Sequence, residues 1–194
     1  MLARFHEPQQ GKILVDGLDI STCTHASLLK QVAIVGQDPF LFHATVGDNI
    51  LYGRPDATQA EVEEAAKAAQ VHDDIVAMPQ GYDTVIGQHG AGLSGGQRQR
   101  IAIARTLLVD PCVIIFDDST SALDADTESK IQRAFNVLLA KRTAFIIAQR
   151  ISTVRNADLI LLMDNGRIVA RGTHDALLAS SPLYADILHS QLEE

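Results

Sequence analysis

The chain has 194 residues, enough for one domain with a buried core, and its 46% hydrophobic and 21% charged content is that of an ordinary globular protein. A formal net charge of −8 argues against nucleic acid as the main partner, because phosphate backbones are held by clustered Lys and Arg. Apolar runs such as Cys112–Phe116 and Leu159–Met163 are far too short to cross a bilayer, and the start of the chain lacks the apolar stretch of a signal peptide. Cys23 and Cys112 read as buried, reduced thiols, so the chain taken alone reads as soluble and intracellular.

Lys12–Val15 and Leu18–Ile20 flank Asp16 and Gly17, a pair that predicts a tight hairpin. Gln31–Val35 is a short apolar strand that ends at Gly36, Gln37, Asp38 and Pro39. A helical region follows over about 47–78, in which Thr58 and Glu61 fit a capping box at the head of an Ala-rich helix. Pro79, Gln80 and Gly81 break it. From Ser94 an amphipathic helix places Ile101, Ala104, Leu107 and Leu108 on one side, until Asp110 and Pro111 stop it. Cys112–Phe116, Thr143–Ala148 and Leu159–Met163 are continuous apolar runs, the pattern of parallel strands covered on both faces. A helix over 127–139 separates the first two. Asn165 and Gly166 turn a second hairpin into 167–170, and the tail from Thr173 reads as two short helices broken at Ser181 and Pro182. The fold class is α/β, with a helical insert between Gln37 and Ser94.

Three places carry chemistry. Ser94 and Gln97 fit a capping box, which any helix can use. Between them Gly95 and Gly96 cost the first turn about 1 kcal/mol each in helix propensity. Without β-carbons, that turn lets a ligand approach its free N–H groups, where the helix dipole favours an anion. Asp117 closes a buried strand at the end where open α/β sheets bind ligands, and it can hold magnesium or simply cap a turn. Asp118 beside it adds a like charge that a cation would relieve. Gln37 and Gln149 also follow strands, and Asp124 stands where it could cap a helix. Each of these three is weak alone.

In this order and spacing the set resembles the nucleotide-binding domain of ABC transporters over essentially the whole chain. Gln37 matches the Q-loop, Leu93–Gln97 the LSGGQ signature, Val113–Asp117 the Walker B strand and Ser121–Asp124 the D-loop. Ile147–Thr153 is similar to the switch loop, and 38–42 with 172–174 resemble the exporter branch. The resemblance implies a P-loop NTPase-like parallel-sheet core with small antiparallel hairpins. The core would comprise 1–40 and 110–194, and a helical subdomain carrying the signature 41–109. It further implies ATP and Mg2+ as cofactors and a head-to-tail pairing of two such domains around two nucleotides. Asp117 and Gln37 would serve magnesium. Ser94, Gly95, Gly96 and Gln97 would contact the γ-phosphate of a nucleotide bound on the partner, and Asp124 would lie at the dimer interface. The Phe40–Phe42 region and the helical insert would receive a membrane domain, expected upstream in the same protein, which places the chain at the cytoplasmic face of the membrane.

Three departures qualify this. No G-x-x-x-x-G-K-[ST] loop occurs in the chain, so the β- and γ-phosphates lack their main cradle, and the chain is expected to be an incomplete domain that binds ATP poorly by itself. Asp118 holds the place of the catalytic glutamate, one methylene short of the attacking water. Gln149 holds the place of the switch histidine, and a glutamine carries neither a proton nor a charge near neutral pH. Both weaken chemistry more than binding, as in the degenerate subunit of heterodimeric exporters. The alternatives are a non-catalytic docking module and a soluble chromosome- or repair-type ABC ATPase; the second would need long coiled coils that the sequence lacks.

Overall fold

A computed structural model describes residues 1–36, 39–87, 90–118 and 125–192, without the side chains of Asp118, Ala125 and Leu192. The chain divides into two units, Met1–Phe145 and Ile146–Glu194.

The first unit opens with a two-stranded hairpin, β1 (Leu14–Val15) and β2 (Leu18–Asp19). Asp16 and Gly17 join them with φ of 49° and 80°, the left-handed pair that a two-residue turn requires. Helix α1 (His25–Leu29) is capped by the Thr24 hydroxyl and leads into β3 (Val32–Val35). β3 runs parallel to β4 (Val113–Asp118), with Val32 opposite Val113 and Val35 opposite Phe116. β5 (Thr143–Ala148) adds on the far side of β4, giving the order β3-β4-β5. Ile20, Leu28, Val32 and Val113 form a core on one side of this sheet.

The expectation of a run covered on both faces is met at Cys112–Phe116, where Val113, Ile114 and Phe116, which alternate between the two faces of β4, are all buried, and is not met at Thr143–Ala148. In β5, Phe145 is 43% exposed and Ile147 is also exposed. The central strand β4 is thus covered on both faces, and the exposed run belongs to the edge strand β5.

Between β3 and β4 lies the expected helical insert: α2 (Val46–Leu51), α3 (Gln59–Ala68), α4 (His72–Val76), a 3-10 turn at Gly81–Asp83, and α5 (Gly95–Val109). Thr58 and Glu61 make the predicted capping box on α3, and Ser94 and Gln97 make the one on α5. Helix α5 is not one-sided. Arg100, Ile101, Ala102, Ile103, Ala104, Thr106 and Leu108 are all buried, because α2, α3, β3 and α6 (Ala125–Leu139) surround it. Its last residue hands over to Asp110 at φ 55°, a left-handed cap, and Pro111 prevents continuation.

The second unit holds α7 (Ile151–Val154), β6 (Ile160–Asp164), β7 (Arg167–Gly172), α8 (His174–Ser180) and α9 (Pro182–Leu192). The run Leu159–Met163, expected as a parallel strand covered on both faces, instead pairs antiparallel with β7, with a register shift between Leu162 and Met163. The two-residue Asn165–Gly166 turn allows only an antiparallel return. Leu161 and Met163 are accordingly exposed, whereas Ile160 packs with Ile151, Leu177 and Tyr184. The Tyr184 hydroxyl lies 2.9 Å from His174 Nδ1, joining α8 to α9. Cys23 and Cys112 are free and half-buried. Among the described residues no helix is long and apolar enough to cross a membrane.

Candidate functional site

The geometry of the Ser94–Gln97 turn follows from its sequence. Ser94 stays extended (φ −66°, ψ 159°), its Oγ accepts from Gln97 N–H at 3.2 Å, and its own N–H donates to Gln97 Oε1 at 2.9 Å. The box therefore consumes the third helical N–H and leaves those of Gly95 and Gly96 without an intrahelical acceptor. The two glycines then separate. A β-carbon on Gly95 would meet nothing nearer than Arg98 Nη2 at 3.8 Å, so that side of the turn is open to an incoming group. A β-carbon on Gly96 would stand 2.2 Å from Thr127 Cγ2. At Gly96 the missing side chain makes room for α6, which crosses α5 there, whereas the space beside Gly95 is open.

Two arginines, which sequence reasoning passed over, secure this turn. Arg98 Nη1 donates to Leu93 C=O at 2.8 Å, which brings a guanidinium charge beside the open space at Gly95. Arg100, 3% exposed, donates from Nε to Gly96 C=O at 3.2 Å and from Nη1 to Asp74 Oδ2 at 2.6 Å and to Gln70 C=O. It ties the turn to α4 and the end of α3. A charged residue inside an apolar helix pattern was the available signal.

At the strand edge, Asp117 is exposed at the C-terminal end of β4. Val35 pairs with Phe116, so the chain leaving β3 at Gly36 reaches the same edge as Asp117. Gln37 and Asp124 lie outside the described residues, as does the side chain of Asp118. Among the described residues no group of three or more His, Cys, Asp or Glu converges as a metal cluster. Magnesium held by phosphates needs only one or two protein carboxylates, and an exposed aspartate at the ligand-binding end of a parallel strand fits that requirement.

Gln149 follows β5 in the second unit and is exposed, while its backbone carbonyl accepts from Gln191 Nε2 at 2.7 Å. Near Phe40 and Phe42, the buried Asn49 exchanges hydrogen bonds with the Phe42 backbone at 2.8 and 3.0 Å. Arg105 reaches Asn49 C=O at 2.8 Å and Phe40 C=O at 3.0 Å, and lies 5.7 Å from the Phe42 ring. Burial lowers the pKa of that guanidinium from its ordinary value, yet it stays charged.

A family model described as ABC transporter matches residues 1–121. An uncharacterized ABC transporter ATP-binding protein of Bacillus subtilis is 49% identical over 194 residues, covering 100% of this chain and 32% of its own length. An ATM1-type heavy metal exporter of Novosphingobium aromaticivorans is 46% identical over the same extent, again with 32% of its length covered. A solved bacterial Atm1-family ABC exporter with ATP bound superposes with a TM-score of 0.89 at 46% identity, over 98% of this chain and 33% of that one. The chain thus spans about a third of the length of each of these proteins.

Proposed function

Because the chain belongs to the ABC transporter family, we propose that it serves as the ATP-binding part of an exporter, with its signature turn acting on a nucleotide held by a second such domain. In the full protein a membrane domain would hold it at the cytoplasmic face, and the pair would couple ATP hydrolysis to transport. The observation that carries this reading is the α5 N-terminus. Its first two N–H groups are unspent, the space at Gly95 is open, and the Arg98 guanidinium adds positive charge beside it.

ATP supplies the phosphoanhydride to be cleaved, and magnesium neutralises its phosphate charge. The chain's own residues do the rest. Ser94 and Gln97 hold the turn, while Gly95 and Gly96 N–H groups orient the partner's γ-phosphate. Asp117, with Gln37, holds magnesium at this chain's own site. There Asp118 reaches a methylene less far than a glutamate toward water, and Gln149 donates a hydrogen bond without a charge. The reading is therefore a heterodimer in which this chain's own site turns over slowly and its signature completes the partner's working site.

The test is an ATPase assay of the full-length protein with and without its partner. Fast hydrolysis by the protein alone sinks the heterodimer reading. Asp118→Glu with Gln149→His is expected to raise turnover at this chain's own site about 10²- to 10⁴-fold, the range for general-base alignment. A docking module without catalysis would show no such gain.

A further inference from the structure

The last turn of α9 is fastened to the segment that carries Gln149. Tyr184, Ile187, Leu188 and Gln191 recur at helical spacing and share one face of α9. Tyr184 is buried with Ile151, Ile160 and Leu177, and Ile187 and Leu188 pack on the same cluster. This packing delivers the Gln191 amide to the backbone on either side of Arg150. Oε1 accepts from Ile151 N–H at 2.9 Å, and Nε2 donates to Gln149 C=O at 2.7 Å.

Helix α7 starts from Arg150 with no side-chain cap of its own, so Gln191 supplies a partner for a donor that would otherwise have none in the helix. A primary amide presents a donor and an acceptor in one plane. One hydrogen bond would leave the segment free to swivel about it; two bonds, to residues 149 and 151, fix its orientation as well as its position. The direction of the Cα–Cβ bond of residue 149 is then set by α9.

We propose that Gln191 is a positioning residue: its amide fixes the backbone of residues 149–151 and thereby aims the residue-149 side chain at the γ-phosphate. This rests on the reading of Gln149 given above. Catalysis is sensitive to such aim, because a misplacement of about 1 Å costs on the order of 10² in rate. The hydrogen bonds themselves contribute little to stability, because the same groups bond to water when the chain is unfolded. Losing them therefore separates turnover from folding.

The test uses the full-length protein assembled with its partner, with Asp118→Glu and Gln149→His present to make this site's turnover measurable. Gln191→Met keeps the length and volume of the side chain and removes both bonds. The gained kcat is expected to fall roughly tenfold or more while KM for ATP stays within about twofold. Amide hydrogen exchange over residues 149–154 should rise together with that loss. If Gln191→Met does not fold, Gln191→Glu retains the bond to Ile151, loses that to Gln149 and carries the same comparison. An unchanged kcat, or a loss confined to KM, overturns the proposal and leaves the reading of Gln149 standing. Absence of any gain from Asp118→Glu with Gln149→His removes that reading, and the proposal with it.

Discussion

Gly95 and Gly96 are adjacent and identical, yet they answer different demands, and substitution separates them. Gly96→Ala drives a methyl into Thr127 and is expected to destabilise by about 1–3 kcal/mol, the range for overpacking. Thr127→Ser removes the opposing methyl and should recover much of that loss in urea titrations. Gly95→Ala meets open space, so stability should hold within about 0.5 kcal/mol while ATPase of the assembled dimer falls as the phosphate's approach narrows. Equal destabilisation by both would contradict the geometry. The turn itself was legible in the sequence, since Ser94 and Gln97 stand at capping-box spacing around two residues that disfavour helix. What could not be read was which glycine faces open space and which faces α6, because that depends on where a helix about 30 residues downstream crosses. Gln191 was hidden for the same reason, as its two partners are 42 and 40 residues away.

At the scale of elements, α5 and α3 give contrasting tests. Arg100 is enclosed within α5's surroundings and bound to Asp74 at 2.6 Å. Asp74→Ala strands that guanidinium and is expected to cost about 3 kcal/mol in chemical denaturation, the range for a broken buried pair. Arg100→Lys should not restore full stability, because an ammonium cannot bridge Gly96, Gln70 and Asp74 in one plane. Helix α3 is held at its head by Glu61, whose carboxyl lies below its ordinary pKa chiefly because the Thr58 N–H and hydroxyl donate to it. A depressed folded pKa means that this contribution is present above the unfolded value and is lost as pH falls through the folded one. Unfolding midpoints of Glu61→Gln should therefore lose part of the wild-type decline on acidification below about pH 4.5, the carboxyl's ordinary range. Both capping boxes, both hairpins and the helical insert were written in local sequence, since spacing of two to four residues decides them. The partner and direction of Leu159–Met163 were set by the turn after it, and the exposure of Phe145 and Ile147 by the edge position of β5; neither is encoded in an apolar run.

For the molecule as a whole, the 194-residue chain contains no G-x-x-x-x-G-K-[ST] loop, so the isolated polypeptide is expected to bind a fluorescent ATP analogue weakly, well above the micromolar range. Tight binding by this polypeptide would require a phosphate cradle other than the one the family uses. The contact between Gly96 and Thr127 adds a mechanical consequence. Thr127 sits in the first turn of α6, and it bears on the first turn of α5 with no room for even one carbon between them. A joint without slack transmits displacement rather than absorbing it. Sideways travel of α6's leading end must push the Ser94–Gln97 turn by a comparable amount, so on the function proposed above the two nucleotide sites would be geared together through a single methyl group.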